Sequence, residues 1–276
     1  MNGSLRSLWT AGLALLVAGT AAAQVPAVSS RRAAAPVKAD GAIGDWTGTA
    51  TVREARSGVE FSFQNDGDRL WVLAVVKDAK ALESLDSTGL TVLAGPAGRK
   101  KPVRGVLFLV RALPPESYIY WRESQGRLLT EDDKRAIREG GPREDTFAFA
   151  VGARGSVHGP LRRLSDAEPP GFGFSGGPEG AVYEFEIPLA SPDLVPGGLG
   201  VKAGESLRLA FEWGGAGRRI LGTKAARETP PAEQGGLFGV ATPAQEFLNS
   251  FDSLSRTRLE TRRFSFAVEL TLAGAR

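Results

Sequence analysis

The chain has 276 residues, 42% of them hydrophobic and 24% charged, which suffices to bury a full core in one large β domain or two small ones. Thirty-four basic residues against 31 acidic ones leave a formal charge of +3, too slight an excess to imply nucleic acid as a partner. There is no cysteine and one histidine, His158, which excludes disulfides, a thiolate nucleophile, a lipid-bearing cysteine and the usual zinc ligand sets.

In chain order, Arg6 precedes an apolar run from Leu8 to Gly19 that ends in Ala21, Ala22 and Ala23. That pattern predicts a signal peptide over residues 1–23 with cleavage before Gln24, hence a periplasmic or secreted protein with no membrane span after processing. Residues 24–36 lack periodicity and read as a flexible leader, and residues 37–276 as a single domain. Because Met1 leaves with the signal peptide, the mature chain has no methionine to ligate a haem.

From Val37 onward, short apolar runs with period two are bounded by Gly, Pro, Asn or Asp, the pattern of half-buried antiparallel strands. Val59, Phe61 and Phe63 alternate with polar residues, Asn65-Asp66-Gly67-Asp68 turns the chain, and Leu70 to Val76 returns. Further strands are expected at Gly89 to Leu93, Gly105 to Val110, Tyr118 to Trp121, Thr146 to Val151, Ala181 to Ile187, Ser206 to Trp213 and Arg263 to Leu272. Two helices are signalled, one opening at Thr130 with Asp133 three residues on, the other at Thr242 with Phe247, Phe251 and Leu254 on one face, placed to cover an end or edge of the sandwich. Residues 168–179, rich in Pro and Gly, read as one long loop. The expectation is an all-β antiparallel sandwich, jelly-roll or immunoglobulin-like, with two short accessory helices.

Catalytic motifs fail on context. Gly173-Phe174-Ser175-Gly176-Gly177 has the spacing of a nucleophile elbow, but no apolar strand precedes it and the one histidine comes before the serine. Gly171 to Gly176 also matches a dinucleotide fingerprint by spacing, without a surrounding βαβ unit. Asp66 and Asp68 could ligate calcium, although a tight turn accounts for both, and His158 reads as a surface loop residue. Aromatic side chains offer the best binding chemistry, since sugar rings stack on flat faces. Trp46 and Trp71 sit in core settings, which leaves Tyr118, Tyr120, Trp121 and Trp213 as candidate ligand contacts.

Asp40-Gly41-Ala42-Ile43-Gly44-Asp45-Trp46, then Leu70-Trp71-Val72, Val76-Lys77-Asp78, and Tyr183 through Leu189 ending in Ile-Pro-Leu, stand in an order that resembles the family-nine carbohydrate-binding modules. A segment like Gly204 to Phe211 commonly follows in that family, so the similarity runs from about residue 37 to 213. The resemblance implies an exported antiparallel sandwich that clamps sugar chain ends between aromatics, often with structural calcium; the paired tryptophans of the clamp have no matching positions here. Haem-binding relatives are disfavoured by the single His and missing Met. The resulting expectation is a non-catalytic exported protein that binds a glycan or another envelope component. The alternatives are a structural or assembly protein of the cell envelope with no sugar site, and, third, a hydrolase with an unrecognised carboxylate pair.

Overall fold

The structure, a computed structural model, describes residues 25–35, 37–101, 103–152, 157–160, 170–177, 180–190, 197–215, 243–256 and 261–274. The expected signal peptide lies outside the described residues. Among the described residues no helix is long and apolar enough to cross a membrane.

Two sheets stack face to face. Strands are β1 (Ala27–Ser29), β2 (Arg31–Arg32), β3 (Thr51–Arg53), β4 (Glu60–Asn65), β5 (Arg69–Val76), β6 (Leu90–Pro96), β7 (Arg104–Leu113), β8 (Arg143–Gly152), β9 (Val157–Pro160), β10 (Gly171–Gly177), β11 (Gly180–Pro188), β12 (Ser206–Gly215) and β13 (Thr261–Thr271). A seven-stranded sheet runs β1-β13-β12-β6-β7-β8-β9, and a six-stranded sheet runs β10-β11-β5-β4-β2 with β3 also paired to β4. The core lies between them. Phe61, Phe63, Val72, Ala74, Tyr183 and Phe185 from one sheet meet Val92, Phe108, Leu209, Phe211, Phe264 and Val268 from the other. Alternation on β13 is as expected, with Phe264, Val268, Leu270 and Leu272 buried and Ser265 and Thr271 exposed. The Asn65–Asp68 turn closes as an Asx turn, Asp66 Oδ1 accepting from the amides of Asp68 at 2.7 Å and Arg69 at 2.8 Å.

Several expectations are corrected. The leader is part of the sandwich: β1 pairs in parallel with β13 and β2 in parallel with β4. Between them Ser30 donates to Asn65 Oδ1 at 2.5 Å, and the same oxygen accepts from the Ala273 amide at 2.9 Å, so both ends of the domain are tied to one buried asparagine. Strands of three and two residues are too short to show a period in sequence. The run Tyr118 to Trp121 is helical, within α2 (Pro115–Ser124), because Pro114 and Pro115 start a helix that puts Tyr118 and Trp121 on one face. Residues 171–177 of the expected loop are β10, an edge strand of the six-stranded sheet, and His158 lies in β9.

Helices α3 (Glu131–Gly140) and α4 (Pro243–Arg256) match the two expected ones, α3 with a capping box between Thr130 and Asp133. An unforeseen helix, α1 (Ala79–Thr88), is capped by Asp78, whose Oδ1 accepts from the Ala81 amide at 2.8 Å. Thus the aspartate ending the Val-Lys-Asp motif is a helix cap. Helix α4 covers a face rather than an edge: Phe247 and Phe251 pack with Trp121, Phe147 and Phe149 on the outer side of the seven-stranded sheet.

Candidate functional site

The hairpin β10–β11 carries different chemistry on its two faces. On the outer face, β11 presents Glu184 where alternation would send a side chain to solvent, yet this residue is fully buried. Its carboxylate accepts from the amides of Asp40 at 2.9 Å and Gly41 at 2.6 Å and from the indole Nε1 of Trp46. The Asp-Gly and Asp-Trp elements are thereby fastened over the sheet, with Trp46 packed in a small cluster with Val37, Trp71 and Leu73. Burial pushes the Glu184 carboxyl above the ordinary range, while the three donated hydrogen bonds pull it back.

The same crossing explains the glycines of β10. A Cβ at Gly173 would run into the Ala39 carbonyl, and one at Gly41, where φ is +81°, would strike the Phe174 backbone. Gly-Phe-Gly-Phe is therefore a strand with aromatics inward and glycine outward, beneath the chain at residues 39–41, rather than a phosphate loop.

On the inner face, Phe174 pairs across the hairpin with Tyr183, and Phe172 with Phe185. The rings form a nearly parallel block, Phe172 to Phe185 at 5.2 Å and 8°, Phe174 to Tyr183 at 6.0 Å and 18°. Its deep end meets Phe108 in the core. Its outer end, Phe174, is 42% exposed, unusual for a large ring in this fold. There the sheets part into a cleft of about 360 Å3, bordered by Phe172, Phe174, Tyr183, Asp86 of α1 and Glu144 of β8. Tyr183 Oη donates to Asp86 Oδ1 at 2.8 Å, and burial together with that carboxylate pushes the phenol far above its ordinary value, so it stays a donor. Asp86 and Glu144 are themselves exposed. A flat apolar wall with polar groups at its rim suits a ligand with one apolar face and several hydroxyls.

A second concavity, about 620 Å3, lies on the outer face of the six-stranded sheet over Leu73, Val75 and Val182. Its polar groups are engaged with one another: Thr51 and Ser62 hydroxyls lie 3.0 Å apart, Ser175 Oγ donates to the Gly41 carbonyl at 2.7 Å, and Lys77 stands 3.8 Å from Glu60. It offers no exposed aromatic ring, since Trp46 is buried.

The four aromatics singled out from sequence do not converge. Trp213, 2% exposed, stacks on Phe264 at 5.3 Å between the sheets. Trp121 is buried on the opposite side of the seven-stranded sheet, stacked on Phe247 at 5.2 Å. Tyr118 is half-buried under Arg122, and Tyr120, at the surface, leans on Phe247. They form no shared platform. Phe172 and Phe174 are not legible as site residues because glycine between two phenylalanines reads as loop, and Tyr183 reads only as part of the expected strand Ala181 to Ile187; the period of two was the signal available. Among the described residues no group of three or more metal-ligating side chains occurs.

No protein-family model matches the chain, and no curated protein matches it. Solved structures similar to it include a carbohydrate-binding module of family 9 from Caldicellulosiruptor kristjanssonii in complex with cellotriose, 15% identical over 68% of this chain and 76% of that one, with a TM-score of 0.27. A family 9 module from the same organism in complex with glucose is 13% identical over 70% of this chain and 82% of that one, also with a TM-score of 0.27. The resemblance read from the sequence is to this same family. The sandwich itself stands on its hydrogen-bonded sheets.

Proposed function

We propose that this protein is a non-catalytic β-sandwich that binds a glycan in the cleft at Phe174 and works outside the cytoplasm, in the periplasm or as a secreted protein. One observation carries the reading: an exposed phenylalanine ends a stacked aromatic block inside a cleft with carboxylate acceptors at its rim. A sugar ring laid on Phe174 places its C–H face on the ring and its hydroxyls within range of acceptors. Export rests on residues 1–23, and N-terminal sequencing of the exported protein is expected to begin at Gln24.

Asp86 and Glu144 border one cleft, as a glycoside-cleaving pair would, but both are exposed, whereas a carboxylic acid kept protonated for catalysis needs burial. Binding invokes no cofactor, so extensive dialysis against chelator should leave it unchanged. The test is affinity electrophoresis of the wild type against cell-wall and plant polysaccharides, followed by titration of whichever binds into Phe174→Ala. Loss of binding with an unfolding midpoint near that of the wild type is expected. If no polysaccharide retards the protein, the reading gives way to an envelope structural role; release of new reducing ends would make it an enzyme.

A further inference from the structure

Among the described residues, the cleft-facing part of the rim is chemically one-sided. The Tyr183 hydroxyl hydrogen is engaged by Asp86, which leaves, among the described residues on the cleft face, the other Asp86 oxygen and the Glu144 carboxylate as side-chain polar groups, and carboxylates only accept. Arg111 also borders the cleft, but alternation along β7 separates it from Glu144. Phe108 points into the core and Leu109 and Leu113 lie beneath α2, which puts Arg111 on the α2 side, in register with Asp145; Glu144, one residue on, is opposite Ala112 on the cleft side. Asp145 in turn lies 3.6 Å from Arg122 of α2. The cleft of a chain with net charge +3 is thus bordered on its own face by two carboxylates. The aromatic wall works in the same direction, because the exposed ring of Phe174 carries negative quadrupole density on its face that attracts a cation.

Resting on the glycan reading above, we infer that the cleft selects glycans carrying a free primary amine, amino sugars in their ammonium form, over neutral ones. The sugar ring lies on Phe174, and its ammonium donates to Asp86 and Glu144 in charge-assisted hydrogen bonds. Water competes well for neutral hydroxyls at an exposed rim, but less well for an ammonium held between two carboxylates and a ring face.

The experiment uses the mature chain and a matched pair of oligosaccharides of equal length, glucosamine and N-acetylglucosamine, titrated at about pH 6, where an amine is protonated. The glucosamine chain is expected to bind about tenfold or more tightly, with an advantage that fades as salt is raised. Asp86→Asn, which keeps an acceptor for Tyr183, and Glu144→Gln should each remove that advantage, weakening the glucosamine chain about tenfold more than the acetylated one. Phe174→Ala should abolish binding of both, with thermal unfolding as the control for folding. Equal affinity for the two chains, both lost in Phe174→Ala, overturns the amine preference and leaves the glycan reading intact. Binding of neither chain nor of any polysaccharide, or binding indifferent to Phe174→Ala, overturns the glycan reading itself.

Discussion

The two faces of the β10–β11 hairpin, a few ångströms apart, have opposite characters. Outside, Glu184 is a buried carboxylate with its oxygens held by three donors, and nothing there is left for a ligand. Inside, at the open end, Asp86 and Glu144 are exposed carboxylates beside an exposed ring. The difference teaches that an acidic side chain beside this hairpin is read by what covers it. The Asp-Gly and Asp-Trp motifs, the most recognisable part of the sequence, build the closed face and so serve the fold; the glycine-rich strand that resembles a loop builds the open one.

Breaking the closed face should cost most. Trp46→Ala removes a buried ring and one of the donors to Glu184, and chemical denaturation is expected to show a loss of about 3–5 kcal/mol. A change below about 1 kcal/mol would mean that the segment over the sheet is dispensable.

Glu184→Gln comes next, at about 2–3 kcal/mol, because an amide supplies one acceptor oxygen where the donors of Asp40, Gly41 and Trp46 converge. This loss has a pH signature. Burial raises the folded-state pKa of Glu184, so its contribution to stability is complete below the unfolded-state value and falls as pH rises through the folded one. Glutamine does not titrate, and the gap between wild type and variant should narrow from about pH 4 upward. A gap constant with pH would show that the hydrogen bonds offset burial, and one that widens with pH that they outweigh it.

Gly173→Ala forces a methyl against the Ala39 carbonyl and is expected to cost about 1–3 kcal/mol, read as a lowered urea midpoint. The same substitution at Gly176, whose Cβ would meet nothing, should cost under about 1 kcal/mol. Equal effects would place the crossing of residues 39–41 over β10 elsewhere. Smallest on stability, and most informative about function, is Phe174→Ala: with 42% of the residue already exposed, it should cost about 1 kcal/mol or less while removing ligand binding.

What was legible in the sequence is what local physics governs. Period two on β13 buries Phe264, Val268 and Leu270, the Asx turn at Asp66 reverses the hairpin, and Thr130 with Asp133 caps α3; each depends on residues a few positions apart. The all-β class follows from such signals repeated along the chain. The site does not, because its parts meet only through long-range contacts. Glu184 occupies a position that alternation assigns to solvent, and only the return of the chain 144 residues earlier, bringing the Asp40 amide to its carboxylate, buries it. Trp121 and Trp213 are alike in sequence as tryptophans after aromatic or apolar runs; packing puts one beneath α4 and the other between the sheets, and takes both away from solvent. Phe174 was exposed in the opposite way. Its strand ends the sheet order, with no neighbouring strand on one flank among the described residues, and the gap between the sheets beside α1 leaves its ring uncovered. Period and capping are written in adjacent residues, whereas exposure depends on which distant surface arrives to cover a side chain, and that is decided by the packing of the whole sandwich.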